Sequence, residues 1–108
     1  MILTIFLLLH AKPSWLELSR SKRAEITEHS LSVSLMAKDL TARHFDAEAF
    51  HAHTSDIAMI EVTDPKAYYF AIEALRDTPL VAEGYFEIRD VIPAYENGFQ
   101  TYEASHVA

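Results

Sequence analysis

Hydrophobic residues form several short runs along the chain, and the first run is the strongest. Residues 1–9 (MILTIFLLL) are almost entirely apolar, and Pro13 follows soon after. A short run rich in β-branched and aromatic residues that a proline stops is typical of a buried β-strand. Weaker strand patterns occur within residues 40–52, in residues 55–62 (SDIAMIEV), and in residues 81–92, which Pro93 ends. The pattern therefore predicts four strands.

Two segments between these runs have helical spacing. Ser19 can cap a helix running to about residue 37, in which apolar positions recur every three or four residues. Asp64 and Pro65 predict a second helix, since a capping acid is followed by proline at the first helical position. That helix is expected to end at Thr78-Pro79. The apolar face of the second helix contains Tyr68, Ala71, Ile72 and Leu75.

The resulting order, βαββαβ, is that of a ferredoxin-like α+β fold, with a four-stranded antiparallel sheet and two helices on one face. We expect a single domain over residues 1–108, with residues 93–108 as a tail packing on the body or on a partner. Asn97-Gly98 in this tail predicts a hairpin turn or a helix C-cap. Right-handed crossovers place strands one and three in the centre of the sheet.

Both central strands are apolar on both faces, and this pattern predicts the oligomeric state of the protein. A sheet with helices on one side and water on the other should alternate apolar and polar residues. Residues 3–9 and 57–60 do not alternate. A second copy of the chain covers such a face most simply, so we expect a homodimer, a dimeric α+β barrel with the two sheets face to face.

Composition narrows the classes of partner and cofactor. The net charge of −7 disfavours nucleic acid and anionic membranes as partners, because both bind basic surfaces. The absence of cysteine excludes disulfides and Cys-ligated metals, and two glycines cannot supply a glycine-rich phosphate loop. Residues 1–9 are too short to span a bilayer and lack the basic start of a signal peptide. We therefore expect a cytoplasmic protein without a cofactor.

Several segments together resemble one protein family. They are residues 3–9 with Trp15-Leu16, residues 46–50 (DAEAF), residues 75–79 (LRDTP) and residues 96–99 (ENGF). The chain is similar to the darcynin family, small bacterial proteins of uncharacterised function, over most of its length. The resemblance implies the same ferredoxin-like, dimeric-barrel fold and brings no catalytic residues. The wider barrel superfamily contains cofactor-independent monooxygenases, polyketide cyclases and haem enzymes, an analogy at the level of fold alone.

In barrels of this kind a small-molecule pocket usually lies between the sheet and the helices. Our candidates for its lining are His10 and His44 as catalytic acid–base groups, with Trp15, Tyr69 and Arg76 as substrate-binding residues. Histidine titrates near neutral pH, and His10 ends the most apolar strand; the alternative, a histidine satisfied at a strand end, is the more common case. Arg76 either complements the helix dipole or binds a substrate carboxylate.

Two groups of residues that contain histidine are candidates for metal sites. His44, Asp46 and Glu48 alternate along strand two, but a solvated edge strand with mixed charge explains them better. His51 and His53 offer only two imidazoles and are read as exposed loop residues. We therefore expect no metal.

Two functions remain open. The first is a binding module for a small apolar or aromatic molecule. The alternative is a cofactor-independent enzyme of the monooxygenase or cyclase type, acting on an aromatic or polyketide-like molecule. A pocket that contains a titratable group favours the enzyme, and a pocket without one favours the binding module.

Overall fold

A computed structural model, which describes residues 1–106, contains one antiparallel sheet with the strand order β2-β3-β1-β4. The strands are β1 (Leu3–Ala11), β2 (Leu40–Asp46), β3 (Asp56–Val62) and β4 (Phe86–Ala94). The helices are α1 (Pro13–Leu16), α2 (Arg20–Ser32), α3 (Pro65–Arg76), α4 (Pro79–Ala82) and α5 (Gly98–Ser105). The predicted α+β, ferredoxin-like fold is confirmed, with the first and third strands in the centre.

Both predicted helix starts are confirmed by their capping contacts. The Ser19 hydroxyl accepts a hydrogen bond from the Lys22 backbone N–H at 3.1 Å. The Asp64 carboxylate accepts one from the Lys66 backbone N–H at 3.0 Å, and Pro65 occupies the first position of α3. Each cap satisfies a backbone donor that the first helical turn leaves unpaired.

Helix α2 ends at Ser32, earlier than the apolar spacing predicts. The Ser32 hydroxyl donates to the His29 carbonyl and the Ser34 hydroxyl donates to the Ser30 carbonyl, each at 2.7 Å. Serine hydroxyls compete with the backbone for helical carbonyls, so a serine-rich stretch weakens the continuation of a helix. The expected end near residue 37 is therefore wrong.

Strand β4 differs from its prediction at both ends. Residues 81 and 82 belong to α4, which begins at Pro79, so the strand starts only at Phe86. Pro93 does not stop it, because β4 lies at the edge of the sheet and one side of an edge strand has no hydrogen-bonding partner.

The tail after β4 forms a helix of its own. Asn97 adopts a left-handed backbone conformation (φ 50°) and precedes α5, so Asn97-Gly98 begins a helix instead of forming a hairpin or ending one. No residue of α5 is buried. The side chains of this helix therefore stay at the surface of the protomer, whereas Pro93 and Ala94, at the start of the expected tail, pair with β1. That the tail packs on the body or on a partner stays a prediction.

The sheet has an inner face towards the helices and an outer face away from them. Ile5 and Leu7 of β1 lie on the inner face and are 1% and 0% exposed. Phe6 and Leu8 lie on the outer face and are only partly buried. The inner face packs on α2, α3 and α4 through the main core, which includes Ile26, Ile60, Val62, Ala71, Ile72, Leu75 and Leu80.

A β-bulge in β4 changes which of its residues share a face. Leu8 pairs with Asp90 and Leu9 pairs with Ile88, so Arg89 is an extra residue without a partner on β1. A bulge reverses the alternation of side chains beyond it. Simple alternation along residues 85–89 would place Tyr85, Glu87 and Arg89 on one face, and the bulge interrupts this arrangement.

Truncation of Leu7 tests the inner core. Leu7→Ala should lower the free energy of unfolding by about 2–5 kcal/mol, because it removes buried methyl groups and leaves a cavity. Leu16→Ala is the matched control, since Leu16 is 58% exposed, and should cost about 0.5 kcal/mol or less. Urea denaturation measures both. Equal losses in the two variants would contradict this assignment of the core.

Candidate ligand-binding site

A cavity of about 340 Å³ lies between the inner sheet face and α2. The sheet contributes Leu9, Ala58 and Phe86 to its wall, and the segment from α2 onward contributes Leu31, Leu35 and Met36. Ala42 and Ala58, on the neighbouring strands β2 and β3, also line it. Their small side chains leave space between sheet and helix that larger residues would fill.

The wall of this mainly apolar cavity includes four polar or charged residues, Thr27, Arg43, His44 and Asp56. His44 Nε2 and Asp56 Oδ2 are 2.7 Å apart, within hydrogen-bonding distance. His44 is more than half exposed, whereas the Asp56 side chain is mostly buried. The register of β2 and β3 places Asp46 directly opposite Asp56, and Asp46 Oδ1 lies 3.8 Å from His44 Nε2. Asp56 therefore orients the imidazole at the edge of the cavity.

Trp15, the only tryptophan in the chain, forms another part of the wall. The short helix α1, which begins at Pro13, carries it over the end of the sheet. Its ring packs edge-on against Phe86, with centroids 5.1 Å apart, and lies 5.6 Å from the ring of Tyr85. Edge-to-face packing of this kind holds an indole in one orientation.

Of the five residues expected to line the pocket, the structure brings Trp15 and His44 to the cavity. His10 lies elsewhere, because the alternation of β1 directs it to the outer face, where it pairs with Glu87 of β4. Its Nδ1 atom is buried there and has no hydrogen-bond partner. His10 would lie next to the cavity only if the side chains of β1 alternated between the two faces in the opposite sense.

Tyr69 and Arg76 also lie outside the lining of the cavity. Tyr69 is 59% exposed and its ring packs against Phe70 on the surface of α3. Arg76 ends α3 near Tyr68: burial raises the pKa of the Tyr68 hydroxyl, and the Arg76 charge partly opposes this rise. The apolar face of α3 that helical spacing predicts (Tyr68, Ala71, Ile72 and Leu75) packs on the core, and neither Tyr69 nor Arg76 belongs to it.

The potential metal ligands differ from the expected set. Strand β2 ends at Asp46, so Glu48 falls in the following turn. Asp56 takes the place of Glu48 as the third potential ligand. Ligand atoms of His44, Asp46 and Asp56 lie within 4.8 Å of one another. The β2–β3 register supplies this third group, and sequence spacing within one strand could not reveal it. That the protein needs no metal stays a prediction.

His51 and His53 lie in the turn between β2 and β3. His51 Nδ1 accepts hydrogen bonds from the backbone N–H groups of His53 and Thr54, at 3.1 and 3.0 Å. Such bonds stabilise the turn in the way that other polar side chains stabilise loops.

Fold and site together define a ferredoxin-like α+β protein with an apolar cavity between its sheet and its helices. The chain belongs to the darcynin family: the model of this family, described as a domain of unknown function, matches residues 1–108. Darcynin from Chromobacterium violaceum is 53% identical over 66 residues, which cover 61% of this chain and 84% of that protein. Darcynin 1 from Acinetobacter baumannii is 40% identical over 88 residues, which cover 81% and 98%.

Solved structures with the same fold include chlorite dismutases. The enzyme from Candidatus Nitrospira defluvii in complex with imidazole matches with a TM-score of 0.75 and 8% identity, over 93% of this chain and 46% of that chain. A putative chlorite dismutase matches with a TM-score of 0.72 and 15% identity, over 86% and 42%. This chain thus spans less than half the length of those chains. Identity this low shows the fold alone.

Within residues 1–106, no helix is both long enough and apolar enough to cross a membrane.

Proposed function

We propose that this protein binds a small, mainly apolar molecule in the cavity between α2 and the sheet. The cavity itself carries the proposal. Its volume of about 340 Å³ lies within the range of small-molecule sites, which are mostly apolar and contain a few polar groups that orient the ligand. His44 with Asp56 supplies such a group here.

The volume indicates the size of the ligand. An engineered apolar cavity of about 150 Å³ binds benzene, so 340 Å³ has room for roughly two rings. Trp15 and Phe86 in the wall offer aromatic surfaces for stacked or edge-on contacts. A two-ring aromatic molecule is therefore a suitable probe.

Filling the cavity tests this proposal. Naphthol should change the fluorescence of Trp15, and Ala58→Leu should weaken its binding by about tenfold or more, because the added side chain occupies ligand volume. Ala42→Leu, on the edge strand, provides a second filling variant. Ala104→Leu in the exposed helix α5 is the matched control and should bind as the unmodified protein does. Unchanged affinity in folded Ala58→Leu and Ala42→Leu proteins would contradict binding at this site.

A cofactor-independent enzyme, of the monooxygenase or cyclase type on an aromatic or polyketide-like molecule, is the second candidate. The short His44–Asp56 contact favours it. A carboxylate that holds one imidazole nitrogen leaves the other in a fixed position for proton transfer, as in other catalytic His–Asp pairs. Since Nε2 contacts Asp56, Nδ1 is the atom that would serve a bound molecule.

Hydrogen–deuterium exchange separates the two candidates. The keto tautomer of naphthoresorcinol has acidic C–H groups next to its carbonyls, and a positioned base should accelerate their exchange in deuterated water, as measured by NMR. The enzyme candidate predicts that His44→Gln lowers this acceleration by about a hundredfold while naphthol still binds. The binding module predicts no acceleration by the unmodified protein. His29→Gln, on the exposed side of α2, is the control.

We also propose that two copies pack with their outer sheet faces together. Phe6 lies between Met59 of β3 and Ile92 of β4 in the register of the sheet, and Leu8 lies beside Ile57. These side chains form a continuous apolar strip on the face without helices. Because such strips are uncommon on monomeric proteins, a second copy is the simplest cover.

The shape of the protomer supports the same proposal. Its radius of gyration is 16.0 Å, whereas a compact chain of this length has about 13 Å. Helix α5 contributes to the difference, because none of its residues is buried although Phe99 and Tyr102 are large. A partner copy would bury surface that the protomer leaves exposed.

Sedimentation tests the dimer. The unmodified protein should sediment as a dimer at micromolar concentration. Phe6→Glu should convert it to a folded monomer, because the new charge would be buried unpaired between the sheets. Val33→Glu, which replaces an exposed apolar residue after α2, should leave the dimer intact. A stable monomer of the unmodified protein would refute the proposal.

We propose further that the protein binds neither nucleic acid nor membranes and that it is cytoplasmic. The net charge of −7 supports a protein that binds neither nucleic acid nor membranes. The position of Leu3–Ala11 as a central strand supports a cytoplasmic protein, since these apolar residues have a structural role within the fold.

A further inference from the structure

A second, more open cleft adjoins the cavity at the start of α2. Its wall consists of Arg20, Arg23, Ala24 and Glu28, together with Trp15 and Thr27. Trp15 and Thr27 also line the apolar cavity. These two side chains therefore form part of the wall of both spaces.

One face of α2 changes in character from the cleft to the cavity. Arg20, Arg23, Thr27 and Leu31 follow one another at intervals of three, four and four residues. Side chains at these intervals share a face of a helix. Along this face two cations are followed by a hydroxyl and then by an apolar residue, and Leu31 lines the cavity.

The two arginines of the cleft lack acidic partners. Among residues 1–106 the ion pairs do not include Arg20 or Arg23, whereas Lys22, in the same turn, lies 3.6 Å from Glu25. Arg23 Nε is buried and has no hydrogen-bond partner. A buried donor without a partner costs free energy, and an acceptor on a bound molecule would remove that cost.

The position of these cations is also electrostatically unfavourable in the protein alone. Three of the nine basic residues of the chain occur in positions 20–23, and the first turn of α2 contains no acid. The N-terminal end of a helix carries partial positive charge, so cations there repel it and an anion is favoured. The negative charge of an anionic ligand would offset the partial positive charge of the helix end and the charges of the arginines.

From these observations we infer that the ligand is an amphipathic anion, an aromatic or short aliphatic carboxylate. Its carboxylate binds Arg20 and Arg23 in the cleft, and its apolar part passes Trp15 into the cavity. Guanidinium groups bind carboxylates through paired, charge-assisted hydrogen bonds. Glu28 is the one carboxylate of the cleft wall, so the two arginines leave the cleft with positive charge. This inference rests on the proposed binding function and specifies its ligand class.

Two probes of the same shape test the inference in the full-length protein. Naphthoate carries the carboxylate, and naphthalenemethanol is its neutral counterpart; Trp15 fluorescence reports binding of both. Naphthoate should bind about tenfold more tightly or better. Arg23→Gln should weaken naphthoate binding by about tenfold to a hundredfold and leave naphthalenemethanol unaffected.

Further variants test whether the arginines of the cleft cause the tighter binding of naphthoate. Lys22→Gln removes a cation from the same turn, outside the cleft wall, and should change naphthoate affinity less than about twofold. Glu28→Gln should strengthen naphthoate binding, because it removes the opposing charge. Arg20→Gln serves as a second test if circular dichroism shows that Arg23→Gln does not fold.

The outcomes distinguish this inference from the function on which it rests. Equal affinity for the two probes, or equal losses in Arg23→Gln and Lys22→Gln, would overturn the carboxylate site while leaving the apolar cavity as a binding site. Binding of neither probe would overturn the proposed function and the inference with it.

Discussion

The fold depends on burying strand β1, whose side chains are apolar on both faces. Ile5 and Leu7 are buried on the inner face against the helices. Phe6 and Leu8 are on the outer face, away from the helices that pack on the inner face. Burial of a leucine or isoleucine is worth about 1.5–3 kcal/mol, so leaving the outer strip in water forgoes a contribution comparable to much of a small domain's stability.

The cavity of the proposed binding site lies where the same inner face is least bulky. Ala42 and Ala58 lie on adjacent strands beside the cavity, while Leu7 and Ile60 pack tightly further along the sheet. Larger residues at the two alanines would fill this volume and gain stability by better packing. A chain of this size has little stability to spare, so an unfilled apolar volume is more readily explained by ligand binding than by packing.

Local signals predicted much of the fold, and long-range register limited the prediction of the site. Ser19 and Asp64 mark helix starts through bonds to residues two or three positions away, which a sequence displays directly. The pairing of His44 with Asp56 depends on which residues of β2 and β3 face each other, and the extra residue Arg89 depends on a bulge. Such features are set by tertiary packing, because a shift of one residue exchanges the faces of a strand.

The positions of His44 and Arg23 bear on both candidate functions, the binding module and the enzyme, since they would place a bound molecule in the same way. His44 lines the cavity but not the cleft, whereas Arg23 lines the cleft but not the cavity. A molecule held by its carboxylate at Arg23 would therefore present its other end towards the cavity, where His44 is held by Asp56. The protein would then bind any amphipathic anion of suitable length, and proton transfer would depend on whether the buried end carries an acidic C–H or O–H group. A binding module and an enzyme would both require this orientation of the molecule between α2 and the sheet. They would differ only in whether the bound molecule carries a proton that His44 can remove.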